Sequence, residues 1–486
     1  MSGVVAFFPH NDFHATFLKK VAERVFEKLK IDSLFIKEYG ACGNFSTVEI
    51  EIELEKIWGN IDISSAALKK IQVDYPKFDF MRAVYSEREF NYYPEYLSRR
   101  PVSREYQLRY LVGCFTLFEK MISTLEIKFI VSEMIIGMAD AILEAVAKKK
   151  HIPFYAVRQS KLESGIIVCS PYVDLPVGLP RIFKENIGGK VTEKFVAAAR
   201  KHIEELREKI SHPSYMEKTK QKFVVSPLNV LVSLIKLFVD IFRVKKSSNL
   251  TIRTKSRIEA YCIVIQRIKN LLSMRINKNK LFSSEIPADS EYIIYPLHYE
   301  PESSTVVRAF HFSDQLATIR MISKALPLDV ILVVKEHSGN KGYRKPFFYK
   351  ELSYMPNVLL LPPEFNVSEA VKNCLCIVTL TGRMGWEAIV HGKPVIALGD
   401  SFWSSMSSVY KVRSIDQMID SIRDIYSRKE EPVNGDDSEI IAFAAAYIEC
   451  TSPGNFVING RKFLTEKNVD LFVDMIEKII IGRIHE

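Results

Sequence analysis

The sequence lacks most of the signatures that would settle a function at once. It has no Cys-x-x-Cys pair, and five of its seven cysteines lie far from any other. That pattern suggests neither a zinc ribbon nor a disulfide framework. No stretch of about 18 uncharged apolar residues occurs, so no membrane-spanning helix is expected. The first residues, MSGVVAFFP, lack the basic start and long apolar run of a secretory leader, and a cytoplasmic protein is expected. No Walker A motif is present, and no Gly-x-Gly-x-x-Gly follows the first expected strand. This argues against P-loop ATPases and the usual dinucleotide enzymes. His-Glu-x-x-His and Asp-x-Asp are also missing, so no metal site is expected.

What is present is ordinary globular composition. Of 486 residues, 47% are hydrophobic and 26% are charged, enough for two or three domains. The net charge of +9 is mild. The close pair Cys374 and Cys376 sits in an apolar run, Cys374-Leu-Cys-Ile-Val-Thr379. On a strand both would face one side as small buried hydrophobes.

Strand-like and helix-like segments alternate through two long regions. In the first, strands are expected at 4–8, 33–36, 128–131 and 153–157, with helices at 13–29, 106–125 and 140–149. In the second, strands are expected at 292–295, 329–334, 357–361, 375–380 and 394–398. Helices are expected there at 313–325, 368–373 and 386–391. This rhythm predicts α/β architecture, with two Rossmann-like parallel-sheet domains. Four regions follow: 1–190, 191–288, 289–430 and a C-terminal helical part, 431–486, packing back across the domains.

The region between the two domains differs. From Lys218 to Lys280 there are fifteen Lys and Arg against two Asp and Glu, a local excess of +13. Residues 228–244 carry polar side chains at Asn229, Ser233, Lys236, Asp240 and Arg243. These spacings form one narrow stripe on an otherwise apolar helix. Its partner is left open between a protein surface and an anionic membrane surface, which the basic flanks would suit. The segment lacks the interleaved aromatics of a nucleic-acid stacking platform, so nucleic acid is not an expected partner.

Open α/β sheets bind ligands beyond the carboxyl ends of their strands. In the second domain three such loops carry chemistry. The first, Pro296-Leu-His-Tyr-Glu-Pro-Glu-Ser-Ser304, offers His298 and Glu300. The second, Lys335-Glu-His-Ser-Gly339, offers Lys335, Glu336 and His337. The third, Thr381-Gly-Arg-Met-Gly-Trp-Glu387, opens a helix, whose free N–H groups and dipole suit a phosphate. Arg383 would add charge. Glu387, expected on the first helical turn, would accept from ribose hydroxyls.

These motifs resemble the capsule polysaccharide biosynthesis family, which includes β-Kdo transferases. The matching stretches are YPLHYEPESST (295–305), DQL (314–316), VVKEH (333–337), PNVLLLPP (356–363), TLTGRMGWEA (379–388) and GKPVIALG (392–399). The family is similar to GT-B glycosyltransferases, in which two Rossmann-like domains face a cleft. The resemblance implies a nucleotide-sugar donor bound by the C-terminal domain, CMP-Kdo among the candidates, and an acceptor held mostly by the N-terminal one. It implies that His337 contacts the donor phosphate, that Thr379, Thr381 and Gly382 cradle it, that Glu387 holds the ribose, and that Lys335 neutralises charge. Two positions depart from the family pattern. Ser338 follows His337 where Pro is usual, and Arg383 stands where a small hydroxyl residue is common. An added Arg suits a diphosphate as well as a CMP-linked sugar.

Glycosyl transfer needs leaving-phosphate stabilisation and, usually, a base for the acceptor hydroxyl. Candidates for the base are Glu133, which is favoured, and His10, Asp12 or His14. The aromatic stretch 90–96, with Arg99 and Arg100, would suit sugar stacking. The expected function is a metal-independent glycosyltransferase of surface-polysaccharide assembly, needing no cofactor and acting on a lipid-linked or oligosaccharide acceptor. The alternatives are a sugar-nucleotide epimerase, a polyol-phosphate transferase, and a non-enzymatic export or assembly protein.

Overall fold

The computed structural model describes residues 3–10, 12–37, 46–91, 102–189, 192–208, 257–300, 302–340, 342–429, 437–456 and 463–481, apart from the side chains of 12, 89, 91 and 257–264. The expected apolar helix at 228–244, the side chain of Asp12 and the aromatic–basic stretch at 92–100 lie outside the described residues.

The chain divides into two compact units. One comprises 1–180, 212–261 and 449–486; the other comprises 181–211 and 262–448. Residues expected to form a separate linker therefore group with the second domain. These are the helix Glu193–Glu208 and most of the helix Arg257–Ile276. The C-terminal part also divides, 437–448 with the second domain and 449–486 with the first.

The first domain is a six-stranded sheet. Its strands are β1 (Val4–Phe8), β2 (Asp32–Lys37), β3 (Ser46–Glu49), β4 (Ile127–Ser132), β5 (Phe154–Gln159) and β6 (Ile166–Cys169). The order is β3-β2-β1-β4-β5-β6, parallel throughout except that β6 runs antiparallel to β5. The central strand reads VVAFF and is buried on both faces, as a strand covered by helices on each side must be. One face packs on Phe17, Leu18, Val21 and Val25 of the helix Asp12–Leu29, which in turn meet Val469, Phe472, Val473 and Ile476 of the C-terminal helix Glu466–Ile480. The exposed ion pairs along this seam, such as Lys28 with Asp474 at 2.8 Å, add little beside that apolar burial.

The second domain repeats the plan. Its strands are β7 (Glu291–Pro296), β8 (Val330–Lys335), β9 (Val358–Leu361), β10 (Ile377–Thr379), β11 (Val395–Ala397) and β12 (Val409–Lys411). They lie in the order β12-β11-β10-β7-β8-β9, all parallel. Numbered within its own domain, each sheet has the order 3-2-1-4-5-6, the doubly wound Rossmann arrangement. The protein thus has the two Rossmann-like domains expected of a GT-B-type chain. In both, the strand order reverses between the first and fourth strands, β1 and β4 in one sheet, β7 and β10 in the other. Those reversal points are where ligands are expected.

Two local readings are corrected. Cys374 ends the helix Ser368–Asn373 and β10 begins only at Ile377, so the two cysteines do not share a strand, although both are buried. The helix expected from Trp386 begins at Arg383, with Gly382 as its cap. Glu387 therefore sits one turn further in than expected. Gly385 is accepted inside this helix for a packing reason: a Cβ there would lie 2.4 Å from the Trp403 ring.

Candidate functional site

In the second domain, side chains from β7, β8 and β10 meet at the reversal point. His298 follows β7 and is 9% exposed. Its Nε2 accepts the backbone N–H of Thr381, which follows β10, at 3.3 Å. The ring is therefore neutral with its proton on Nδ1. Burial, with neighbouring cations, pushes its pKa down to about 3. Gln315 holds the His298 backbone on both sides: the His298 N–H donates to Gln315 Oε1 at 2.7 Å, and Gln315 Nε2 donates to the His298 carbonyl at 3.1 Å. The preceding Asp314 caps the helix Gln315–Ala325 through the Ala317 N–H at 3.0 Å. The DQL motif thus supports the site and does not line it.

The turn after β10 is fastened internally. The Gly382 N–H donates to Thr379 Oγ1 at 3.2 Å, and Thr379 is fully buried. A Cβ on Gly382 would lie 2.8 Å from Thr379 Oγ1 and 3.3 Å from His298 Nε2, so no larger residue fits without shifting the turn. The N–H groups of Thr381 and Gly382, expected to cradle a phosphate, are engaged by the protein itself. The helix Arg383–Val390 then opens with no side chain capping it. Its first N–H groups, from Arg383 and Met384, have no acceptor within the helix, the kind of end that suits an anion. The Arg383 Nε lies 3.7 Å from Glu387 Oε1. Burial raises the Glu387 pKa, an effect the Arg383 charge partly offsets.

The loop after β8 is built around a buried charge network that sequence reasoning missed. Glu336 has no exposed surface. Its Oε2 accepts from Arg344 Nε at 3.2 Å and from the Tyr349 hydroxyl at 2.8 Å, and its Oε1 accepts the His337 N–H at 2.6 Å. Arg344 also donates to Glu300 Oε2 at 2.7 Å and to the His298 carbonyl at 2.8 Å. Glu336 and Glu300, both expected to bind ligand, are here partners of Arg344. Burial raises the Glu300 pKa against the pull of that guanidinium. Lys335 is buried, and its Nζ donates to the carbonyls of Glu336 at 2.8 Å and Pro363 at 2.9 Å. Desolvation pushes its pKa down to about 8. His337 is half-buried, and burial lowers its pKa. Its Nδ1 accepts the Gly339 N–H at 3.0 Å, which leaves the ring proton on Nε2 as a donor.

The first domain has a second cluster at its own reversal point. Glu133 follows β4 and accepts the His10 N–H, from the loop after β1, at 3.4 Å. The His14 Nδ1 contacts Glu133 Oε1, and His10 Nδ1 lies 3.9 Å from Oε2. The His10 Nε2 is 3.3 Å from Asp140, a buried carboxylate that accepts the N–H groups of Ile136 and Gly137 at 2.6 and 2.9 Å. His14 stacks on Phe456 at 4.5 Å. Burial would raise the Glu133 pKa, but the His14 hydrogen bond and the His10 charge outweigh it and hold it below its ordinary value. Glu133 is therefore ionised at neutral pH. His10 and His14 back it rather than compete with it, and Glu133 keeps more exposed surface than either.

Among the described residues no group of three His, Cys, Asp or Glu is arranged to hold a metal ion, and no helix is long and apolar enough to cross a membrane. A surface cavity of about 430 Å³, lined by Ile122, Ile127, Lys150 and Ile152 among others, sits at the start of β4, the opposite end of the strands from this chemistry.

A family model described as capsule polysaccharide biosynthesis protein matches residues 142–410, more than half of the chain. The chain belongs to this family. The match takes in all three loops of the second domain's site. Curated proteins give no match. Among solved structures, KpsC β-Kdo 2,4 transferase from Thermosulfurimonas dismutans is 15% identical, covering 66% of this chain and 79% of that one, with a TM-score of 0.30. The β-Kdo 2,7 transferase of the same KpsC is 12% identical, over 71% and 87%, with a TM-score of 0.28. UDP-GlcNAc 2-epimerase from Neisseria meningitidis is 12% identical, over 92% and 98%, with a TM-score of 0.25. At these scores the likenesses add nothing to the topology already described.

Proposed function

We propose that this family member is a glycosyltransferase of bacterial surface-polysaccharide assembly, using a nucleotide-sugar donor held by the second domain. The observation that carries the reading is the arrangement across the β7/β10 reversal point. A neutral, buried His298 and Thr379 hold the Gly382 turn, and an uncapped helix begins directly after it. That is a site for a phosphate. His337 Nε2–H and the Arg383 guanidinium are the side-chain donors for it, and Glu387 is the acceptor for ribose hydroxyls. In transfer, the acceptor oxygen bonds to the anomeric carbon while the bond from that carbon to the phosphate oxygen breaks, leaving its electron pair on the phosphate. The donors stabilise that developing charge. Arg383 fits a diphosphate leaving group as well as CMP, so CMP-Kdo is one candidate donor beside UDP-, GDP- and CDP-sugars.

Glu133 is the group of the first domain we assign to the acceptor hydroxyl. Its lowered pKa keeps it ionised, and it takes the acceptor hydroxyl's proton as the new bond forms. The acceptor is a lipid-linked or oligosaccharide chain. The basic segment and its apolar stretch at 228–244 would bring the protein to an anionic bilayer on the cytoplasmic face. Liposome flotation tests that part: deleting 228–244 should abolish binding to anionic vesicles, and unchanged binding would remove the membrane from the proposal.

The function is tested by incubating the full chain with a panel of nucleotide sugars and a lipid-linked acceptor, with product analysis by mass spectrometry. A glycosylated acceptor plus free nucleotide supports the reading. An epimerised donor with no transfer would replace it by the epimerase reading, and nucleotide-independent function of His337→Ala and Glu387→Ala in capsule assembly would make the protein a non-enzymatic component.

A further inference from the structure

The loop that carries Arg344 is held from outside as well as from inside. On the inner side, Asn340 Oδ1 accepts the N–H groups of Tyr343 and Arg344, each at 3.1 Å, and Asn340 Nδ2 donates to the Tyr349 hydroxyl at 3.2 Å. On the outer side lies the helix Arg257–Ile276. Its Asn270 is 1% exposed and donates through Nδ2 to the Gly342 carbonyl at 2.9 Å. Gln266 Nε2 donates to Asn270 Oδ1 at 3.0 Å, which fixes the orientation of that amide. Gly342 has φ +81°, a left-handed conformation, and a Cβ there would lie 2.7 Å from the Arg267 carbonyl and from Leu271 Cγ. Helix and loop therefore touch backbone to backbone. The Arg267 guanidinium covers the Tyr343 ring at 3.9 Å, and Tyr343 meets Tyr299 edge-on at 5.3 Å. Tyr299 is 6.1 Å from the His337 ring.

We infer that the helix Arg257–Ile276 is a positioning element of the donor site, acting through Asn270 on Gly342 and so on Arg344 and His337. The inference rests on the donor reading above and deepens it. A buried amide used on both of its ends, against a backbone position whose left-handed φ and clearance only glycine fits, is costlier than simple helix packing needs. The two residues after Gly342 then complete the connection. Arg344 reaches Glu300, Glu336 and the His298 carbonyl, and Tyr343 reaches the aromatic neighbour of His337. Loss of the Asn270 bond lets the loop sample other conformations, and the apparent affinity for the donor falls with the fraction of competent loop. By linkage, a bound nucleotide must stabilise the helix as much as the helix stabilises the bound loop.

The test uses the full chain and two measurements. Hydrogen–deuterium exchange compares wild type with Asn270→Ala and Asn270→Asp, the second of which keeps the acceptor for Gln266 but removes the donor to Gly342. Both should raise exchange across 336–345 and leave β7 and β8 protected. The nucleotide that stabilises the wild type should bind each variant about tenfold more weakly, and in the wild type it should slow exchange across 265–276. Tyr426→Phe, which removes a 2.7 Å hydrogen bond to Asp329 at the start of β8, the opposite end of that strand from the loop, controls for stability loss alone and should leave nucleotide affinity unchanged. Unchanged exchange in 336–345, or raised exchange with undiminished affinity, overturns the inference. If no nucleotide binds the wild type, the donor reading fails separately, and loop exchange alone decides whether the helix holds the loop.

Discussion

Replacing Arg344 by Met should be among the most damaging single changes in the second domain. The guanidinium is 6% exposed and bonds Glu300, Glu336 and the His298 carbonyl. Met preserves most of the volume, so the cost is electrostatic and not a cavity. Glu336, with no exposed surface, would keep only the Tyr349 hydroxyl and the His337 N–H. Removing one partner of a buried pair costs about 3–5 kcal/mol. For a domain of this size each kcal/mol lowers Tm by about 2–4 °C. The fall should therefore be roughly 6–20 °C in a calorimetric melt. Arg344→Met with Glu336→Gln should recover part of it, because the stranded charge is gone: the amide oxygen still accepts the His337 N–H, and the amide NH2 donates to the Tyr349 hydroxyl oxygen instead. A fall below about 3 °C, or a double variant no more stable than the single one, would refute the claim that this network organises the loop.

Gly382→Ala should leave the melting temperature within a few degrees but weaken nucleotide binding at least about tenfold, since its Cβ displaces the turn held by Thr379 and His298; titration calorimetry reads this. Glu133→Gln should abolish transfer while leaving nucleotide affinity unchanged, because Glu133 belongs to the other domain; equal loss of both would remove its assigned role. His202 is kept neutral by burial, its pKa pushed down to about 4, and accepts from Trp386 Nε1 at 3.3 Å. Its contribution is complete above the unfolded value of 6.5 and declines as pH falls toward about 4, because only the unfolded chain takes up the proton in that window. The slope is at most about 1.4 kcal/mol per pH unit. His202→Gln should flatten the fall of Tm between pH 6.5 and 4.5, and an unchanged slope would contradict the assignment.

Much of the fold was legible because its strands are buried on both faces. VVAFF and YIIYP stand out as apolar runs between helical periods, and the structure puts strands at 4–8 and 291–296. β3 and β12 were not legible, since STVE and VYK lie at sheet edges, half-exposed, without an apolar signature. β6, IIVC, is apolar, but its antiparallel return breaks the strand–helix rhythm that located the others. In the site, loops at strand ends were legible through their residue types. Their internal wiring was not. Glu336 looks like a ligand-facing acid in sequence, and only the return of the loop at Arg344, eight residues on, turns it into a buried structural anion. Likewise Asn270 and Gly342 are unremarkable until the fold brings positions 72 residues apart together. Glu387 was misplaced by about one turn because the helix was expected only from residue 386, whereas it starts at Arg383 and takes in Gly385, where Trp403 packs in place of a side chain.

The most direct test of the central claim is a thermal-shift panel of the full chain with CMP, CDP, UDP, GDP, ADP and NAD, repeated on Gly382→Ala and His337→Ala. A nucleotide at about 100 times its dissociation constant should stabilise the fold by roughly 2.7 kcal/mol. The account predicts a selective response to one of the first four nucleotides, lost in both variants. No response to any nucleotide, or a response that both variants retain, would contradict a donor site at the β7/β10 reversal point.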